Sequence, residues 1–508
     1  MTSSSLMLSL RQGAFWTYLQ GGFAAAVQFA TGIAMARLLA PADFGLFAAV
    51  TAYTVLLLRQ AQFGLPESLI QAERLDIRRL GSVFWAMEAF AVVAFLLSAA
   101  LAGVVSAFYD DPRFVPLMLA VSANFLVMPF SAVAGAWLRR QMRFRAVAKI
   151  SMVLTITGAA AGIAAALGGL GVWSFVAAAW TNALLGAWLH VRVSGWHPPR
   201  PRMTVAEVAP LLRYGWKLHL NSMLWLASSR VTPMILGGLM GVHALGLFRR
   251  AAESARMPVD QLVSRLYQLF FAAFSRASER SPREAGRLNE KVLFAMCAVV
   301  FPLLLALWFL AEPFVVGLYG EKWAGAVAPM RLLVIGAFAS AVSMQLGALA
   351  DARGLAGKEA YLQLFGLGLA AAAVLMGSRW GLEGVAAALA VRAWIMLAGV
   401  VAIVHRYSGC LRASRVLVAC LPAIISVVSG AMLGWAAVSL TRHLHPWVGG
   451  LAGAGAAIIG DIVAFCILVL LWRNHAGLGA VRAMIRTKLF PLARCREFAR
   501  KPWLAGRA

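Results

Sequence analysis

The chain has 508 residues, 61% of them hydrophobic and only 13% charged, where a soluble domain carries roughly a quarter charged residues. That composition excludes a soluble enzyme or binding module and points to a polytopic membrane protein. The net charge of +26 would suit a nucleic-acid binder, but the basic residues fall in short segments between apolar runs, which excludes nucleic acid as a partner.

In a bilayer every backbone polar group must be satisfied internally, which leaves helices or a closed barrel. Barrel strands alternate polar and apolar residues over about ten positions. Here the apolar runs last about twenty residues or more, the length of a spanning helix. The expected fold class is all-α. The first sixteen residues carry only Arg11 ahead of a long apolar run, with no small-residue cleavage site, so an uncleaved first span is expected rather than a signal peptide.

About fourteen transmembrane helices fit the pattern. They cover 14–36, 44–64, 81–107, 115–138, 150–168, 171–191, 216–238, 243–272, 293–312, 327–350, 361–377, 380–404, 415–439 and 447–472. With the N-terminus inside, the inner segments carry Arg74, Arg78 and Arg79, then Arg139, Arg140, Arg143 and Arg145, then Arg200, Arg202 and Arg213. Further on they carry Arg276, Arg280, Arg283, Arg287, Arg406, Arg412 and Arg415, and a basic tail from Arg482 to Lys501. The outer segments hold little beyond Arg37, Arg113, Lys322, Arg379 and Arg442. An asymmetry of roughly five to one places both termini in the cytoplasm.

Two inner segments have the pattern of helices lying on anionic membrane lipid. Residues 204–214 open on a Thr204-x-x-Glu207 capping pattern and align Val205, Val208, Leu211 and Leu212. Residues 479–497 set Val481, Met484, Ile485 and Leu489 among basic residues, which also fits a solvated tail. Cys297, Cys410, Cys420, Cys466 and Cys495 form no CxxC pair and are expected as small core residues, with neither disulfide framework nor metal site.

The chain also repeats itself. LeuLeuAlaProAlaAspPheGlyLeuPhe (38–47) is echoed by LeuMetGlyValHisAlaLeuGlyLeuPhe (239–248), and PheTyrAspAspProArg (108–113) by LeuTyrGlyGluLysTrp (318–323). ProLeuMetLeu (116–119) is echoed by ProMetArgLeu (329–332), and GlyLeuGlyVal (169–172) by GlyLeuGluGlyVal (381–385). The offset stays at about 200–213 residues, and six spans per copy keep the two copies in one orientation. The expected organisation is a six-helix bundle over 1–195, an amphipathic linker over 196–215, a second six-helix bundle over 216–405, two additional helices over 406–473 and a basic tail over 474–508.

Residues 216–272 concentrate charge at membrane depth, where it is costly and marks functional candidates. At 100° per residue His219, Ser222, Ser229, Arg230 and Pro233 share one face of the seventh span. Arg250, Glu253, Ser254, Gln261, Ser264, Arg265 and Gln268 share a wedge of roughly 120° on the eighth. Such stripes fit a wet cavity enclosed by protein, and Pro233 and Pro258 would kink the two spans and let them rock. Arg250 either faces the cavity or pairs with Glu253 at i+3. Arg249 and Arg59 either face it or snorkel to the interface, and Arg256 and His219 are secondary candidates. Arg37 on the outer rim reads as gating or structural. Glu88, Arg392 and Asp461 are lone charges in other spans; Glu88 and Asp461 are the candidate ion-coupling carboxylates, and Asp461 equally fits a pairing with a polar neighbour.

AlaArgLeuLeuAlaProAlaAspPheGly (36–45), PheGlyLeuProGluSerLeuIleGln (63–71), SerValPheTrp (82–85), LeuArgArgGlnMetArgPheArg (138–145), LeuLeuArgTyrGly (211–215), LeuGlyLeuPheArgArgAla (245–251) and GlyGluLysTrp (320–323) carry a family resemblance. The chain resembles the Wzx-type lipid-linked oligosaccharide flippases, polysaccharide transporters of the multidrug/oligosaccharidyl-lipid/polysaccharide exporter superfamily. The resemblance implies two bundles in a V around a central cavity, as in the superfamily's multidrug (MATE) transporters. It implies alternating access in a bacterial inner membrane, and an undecaprenyl-pyrophosphate-linked oligosaccharide as substrate. It also implies physical association with a polysaccharide polymerase and co-polymerase. Arg230 and Arg250 fall on family arginines of the seventh and eighth spans and, with Arg59 and Arg265, are the expected pyrophosphate or sugar contacts. Where the family often has an acidic residue three positions after the seventh-span arginine, this chain has Pro233.

Arginine suits pyrophosphate because its planar fork donates two parallel hydrogen bonds and stays charged. A pyrophosphate diester carries about two negative charges, and moving each outward across 100 mV releases about 2.3 kcal/mol. No nucleotide is required, no Walker A pattern is present, and no cofactor is expected. Two other functions compete. A multidrug or organic-cation antiporter of the same superfamily would want cavity carboxylates, whereas arginine outnumbers them in spans 7 and 8. A membrane polymerase or ligase would want a large outer loop with catalytic groups, and the longest here, 311–327, carries only Glu312, Glu321 and Lys322.

Overall fold

The structure is a computed structural model and describes residues 3–71, 77–198, 205–409, 413–441 and 446–471. Every regular element among the described residues is helical. In order these are α1 (Ser3–Leu38), α2 (Pro41–Gln62), α3 (Leu65–Gln71), α4 (Ile77–Ser106), α5 (Phe114–Ser122), α6 (Met128–Arg140), α7 (Phe144–Leu167) and α8 (Trp173–Ser194). Then come α9 (Val205–Arg280), α10 (Pro282–Phe309), α11 (Val327–Ala352), α12 (Ala356–Gly377), α13 (Gly381–Tyr407), α14 (Ala413–Leu440) and α15 (Pro446–Leu471). Among the described residues 10 helical stretches are long and apolar enough to cross a membrane. The basic tail from 474 onward, including the 479–497 segment, and Cys410 and Cys495 lie outside the described residues.

Two of those stretches, Leu226–Arg280 and Ala356–Tyr407, have 55 and 52 residues. One bilayer crossing takes about 20, so each is long enough to cross twice. Glycine supplies the breaks. Within α9 the dihedrals leave the helical region at Gly241, with φ 80° and ψ 169°, a conformation closed to residues that carry a Cβ. Gly381, with φ 74°, follows a 3-10 turn (Ser378–Trp380) between α12 and α13. Pro233 and Pro258 sit inside the helical run on either side of Gly241, so the break in α9 falls at the glycine and at neither proline.

The described chain forms two compact units, which are not its sequence halves. The first takes 1–257, 311–337 and 357–396, and the second takes 258–310, 338–356 and 397 onward. In the first, Leu46, Val50, Phe114, Leu117, Met118, Val172, Leu236, Leu245 and Val385 are buried in one cluster. A second cluster joins Leu65 and Leu69 of α3 to Phe84, Val133, Trp196 and Val208. In the second unit Leu305, Ala306 and Phe309 of α10 pack on Ala454 and Ala457 of α15. There the Gln345 amide donates to the Asn289 side-chain oxygen at 2.8 Å, both residues being fully buried.

The first unit contains one crossing that glycine alone permits. A Cβ on Gly45 of α2 would overlap the Val242 carbonyl and lie 2.8 Å from the Gly246 nitrogen. A Cβ on Gly246 would overlap the Pro41 carbonyl and lie 3.1 Å from the Gly45 nitrogen. These are corresponding positions of the repeated motif, and each glycine meets the carbonyl four residues before the other. Each copy of the second repeated motif also reaches the other copy's half of the repeat, through different positions. Tyr109 lies against Gly237 and donates to the Met234 carbonyl at 3.0 Å, while the Trp323 indole donates to the Ala36 carbonyl at 2.9 Å.

Candidate functional site

Within the first unit α1, α2, α7, α8 and the middle of α9 surround a cavity of about 510 Å³. The sequence of each wall explains why the helices leave room there. On α7, Gly158 and Gly162 are buried and let α8 approach, so that a Cβ on Gly162 would come within 3.3 Å of the Ala178 methyl. On α1, Gln28 and Thr31 face inward three residues apart on one helical face. Ser151 and Thr155 do the same four apart on α7, and Asn182 comes from α8. Phe47 and Phe175 stack with ring centroids 4.6 Å apart at the cavity wall.

All the charged lining residues, Arg249, Arg250 and Glu253, belong to α9. The two arginines are differently situated. Arg250 is 8% exposed. Its guanidinium carbon stands 4.7 Å from the Phe44 ring centroid, 4.8 Å from that of Tyr319 and 5.6 Å from that of Trp323. It also reaches the Gly32 carbonyl at 3.4 Å and Glu253 at 3.6 Å, while its Nε has no partner. The Tyr319 hydroxyl in turn meets Ser254 Oγ at 3.3 Å. Arg249 is the more available cation: its Nε donates to Glu253 at 2.8 Å, and a third of its side chain stays accessible. Glu253 thus bridges both arginines, and the cluster keeps a net positive charge.

The structure brings Arg249, Arg250 and Glu253 to one cavity and leaves the other expected residues outside its lining. Arg230 is half-buried, its Nε has no partner, and the charge of Arg249 bears on it. Arg59 donates to Gln62 at 2.7 Å near the end of α2. Arg256 is exposed. Pro258 and Gln261 belong to the second unit. The side chains of His219 and Arg265 lie outside the described residues. Arg37, at the end of α1, donates to the Gly317 and Leu318 carbonyls, and its own carbonyl accepts from Lys322 at 2.8 Å. Glu88 on α4 is half-buried with Oε2 unpartnered. Asp461 on α15 is 1% exposed, beside Ser426, with Oδ1 unpartnered. Arg392 donates to the Gly366 carbonyl at 3.0 Å.

Outside the spans, Arg113 bonds Asp111 at 2.8 Å and Asp43 at 3.2 Å. The Arg113 hydrogen bond holds the Asp111 carboxyl below the usual carboxylate range, and Asp111 holds the guanidinium up. The aromatic box of Phe44, Tyr319 and Trp323 and the neutral lining of Gln28, Ser151, Thr155 and Asn182 were not picked out by sequence reasoning. A polar pair spaced three or four residues apart on a spanning helix is the signal that finds part of the lining. Residues 44, 250, 319 and 323 all fall in the repeated or family motifs, but nothing in those motifs says that they meet.

A family profile described as polysaccharide biosynthesis protein matches residues 34–328. The chain is similar to the lipopolysaccharide biosynthesis protein WzxC of Escherichia coli K12, 23% identical over 356 residues that make up 68% of this chain and 71% of that protein. It is similar to the succinoglycan biosynthesis transport protein ExoT of Rhizobium meliloti, 26% identical over 63% of this chain and 64% of that one. Among solved structures, the lipid II flippase MurJ in an inward closed conformation aligns with a TM-score of 0.71 at 10% identity, covering 91% of this chain and 99% of that one. An inward-facing MATE-family multidrug resistance transporter of the MOP superfamily gives 0.54 at 17% identity, over 74% of this chain and 92% of that one. At such identities the likeness to solved structures speaks for the fold.

Proposed function

This chain belongs to the polysaccharide biosynthesis protein family, and from that premise we propose that it is a flippase for undecaprenyl-pyrophosphate-linked oligosaccharide. It is a multi-pass membrane transporter and not an enzyme. In this reading it carries the polar headgroup from the cytoplasmic to the periplasmic leaflet of a bacterial inner membrane by alternating access. The observation that carries the reading is the cavity itself. It lies among helices long enough to cross a membrane, and it holds cationic and neutral polar groups together. Without it a sugar chain would drag polar groups through hydrocarbon at several kcal/mol each.

The same proposal takes in the finer organisation. Divided at Gly241 and Gly381, and with α8 and α15 added, the apolar stretches reach the roughly fourteen crossings expected from sequence. The boundaries 1–195, 216–405 and 406–473 then read as two six-helix repeats and an appendix, with both termini cytoplasmic. The reciprocal Gly45 and Gly246 crossing supports the repeat. Polymerase and co-polymerase are the partners that would receive the flipped unit. The antiporter alternative is disfavoured by Glu253, the cavity's carboxylate, which is tied to two arginines.

Deletion of the protein tests the reading. Lipid-linked repeat units should accumulate on the cytoplasmic leaflet while polysaccharide export stops. Unchanged export with no accumulating intermediate would refute it.

A further inference from the structure

Resting on that reading, we infer that the wall built by α1, α7 and α8 reads the glycan. The Gln28 and Asn182 carboxamides hydrogen-bond the sugar nearest the pyrophosphate, and Arg249 takes the adjoining phosphate. The cavity is chemically divided. Its charges all come from α9, whereas α1, α7 and α8 contribute only neutral side chains. A ligand matching it has an anionic end and an uncharged, hydroxyl-rich end.

The neutral wall divides further. The hydroxyls of Thr31 and Thr155 spend their protons on the carbonyls four residues earlier, at 2.7 and 2.8 Å. Ser151 already accepts from Gln20 at 2.8 Å. Gln28 and Asn182 are exposed at the cavity wall and have no hydrogen-bond partner among the described residues. A carboxamide offers two donors and an acceptor, which suits vicinal sugar hydroxyls that both give and take. The Asn182 amide lies flat on Gly158, where a Cβ would come within 2.8 Å of its Cγ. The glycine is therefore what leaves the amide its place. The stacked Phe47 and Phe175 rings add apolar wall to the same cavity.

Binding to the purified full-length protein separates the two ends of the ligand. The probes are bare undecaprenyl pyrophosphate and the same lipid bearing one glucose or one N-acetylglucosamine. The native protein should hold a glycosylated lipid more tightly than the bare one. Gln28→Ala and Asn182→Ala should each weaken the glycosylated lipid about five- to tenfold, the scale of one lost hydrogen bond, and leave the bare lipid unchanged. The unchanged arm also certifies that the variants fold. Gly158→Ala should reproduce the Asn182→Ala pattern, and Arg249→Gln should weaken both lipids alike. The inference is overturned if the amide variants weaken both lipids equally or neither, or if the native protein does not distinguish them. A native protein that binds neither lipid would instead sink the flippase reading.

Discussion

Arg250→Ala separates a residue that holds the protein together from one that holds the substrate. The residue is 8% exposed, and its guanidinium faces three aromatic rings at 4.7, 4.8 and 5.6 Å. A desolvated cation–π contact contributes about 2 kcal/mol, and three on one cation do not add fully, so the loss is set at about 2–4 kcal/mol. That is a large part of the roughly 5–15 kcal/mol by which a domain is stable. The thermal midpoint of the purified variant, followed by size-exclusion chromatography after heating, should therefore fall together with polysaccharide export. Arg250→Lys should fall less, because an ammonium keeps the charge but has no planar face to lay on the rings. A variant with native thermal behaviour and no export would refute the reasoning and return Arg250 to the substrate.

Arg249→Gln should show the opposite split. Its partly exposed pair with Glu253 contributes less than about 1 kcal/mol, so export should drop while the melting curve stays in place; a parallel loss of stability would contradict this. Gly45→Ala and Gly246→Ala should each destabilise by about 1–3 kcal/mol or more, since the added methyl meets backbone that cannot turn aside; native melting in either would show that the crossing yields. Tyr109→Phe removes the hydroxyl that donates to the Met234 carbonyl and should cost about 1 kcal/mol by the same measurement. Asp111 is held below its usual range by Arg113, so its contribution is present above the unfolded pKa of about 3.9 and is lost as pH falls through the lower folded value. The midpoint of the native protein should accordingly drop more steeply below pH ~4 than that of Asp111→Asn, and parallel acid profiles would exclude the pair as its source.

The fold was legible because bilayer physics leaves few choices. An apolar run of helical length is visible in the residues themselves, so the spans expected over 81–107 and 171–191 lie within a few residues of α4 and α8, while α7 starts at Phe144, ahead of the expected 150. The break in α9 was harder. Pro233 and Pro258 looked like hinges, yet proline tolerates a helix interior when neighbours satisfy its freed carbonyl. Only the dihedrals show that Gly241 takes the positive φ. Short α3 packs on Phe84, Val133 and Trp196, and the turns at 313–326 pack around Trp323; neither left a period to read. At the site, charge was conspicuous because it is rare at membrane depth, which found Arg249, Arg250 and Glu253. It did not reveal that one arginine would be boxed by three rings from two distant segments. Gln28 and Asn182 were passed over because a single amide in an apolar helix resembles any other.

The reciprocity at Gly45 and Gly246 has a consequence for how the chain tolerates change. In a symmetric dimer a surface meets its own copy, so residue i touches j while j touches i, and one substitution strikes the contact twice. Here the same geometry is spelled by two stretches of one polypeptide. Each glycine can be altered alone, and each stretch can drift to suit the other. The crossing is thus a self-complementary interface written as two separate words, either of which can change while the other keeps its side of the contact.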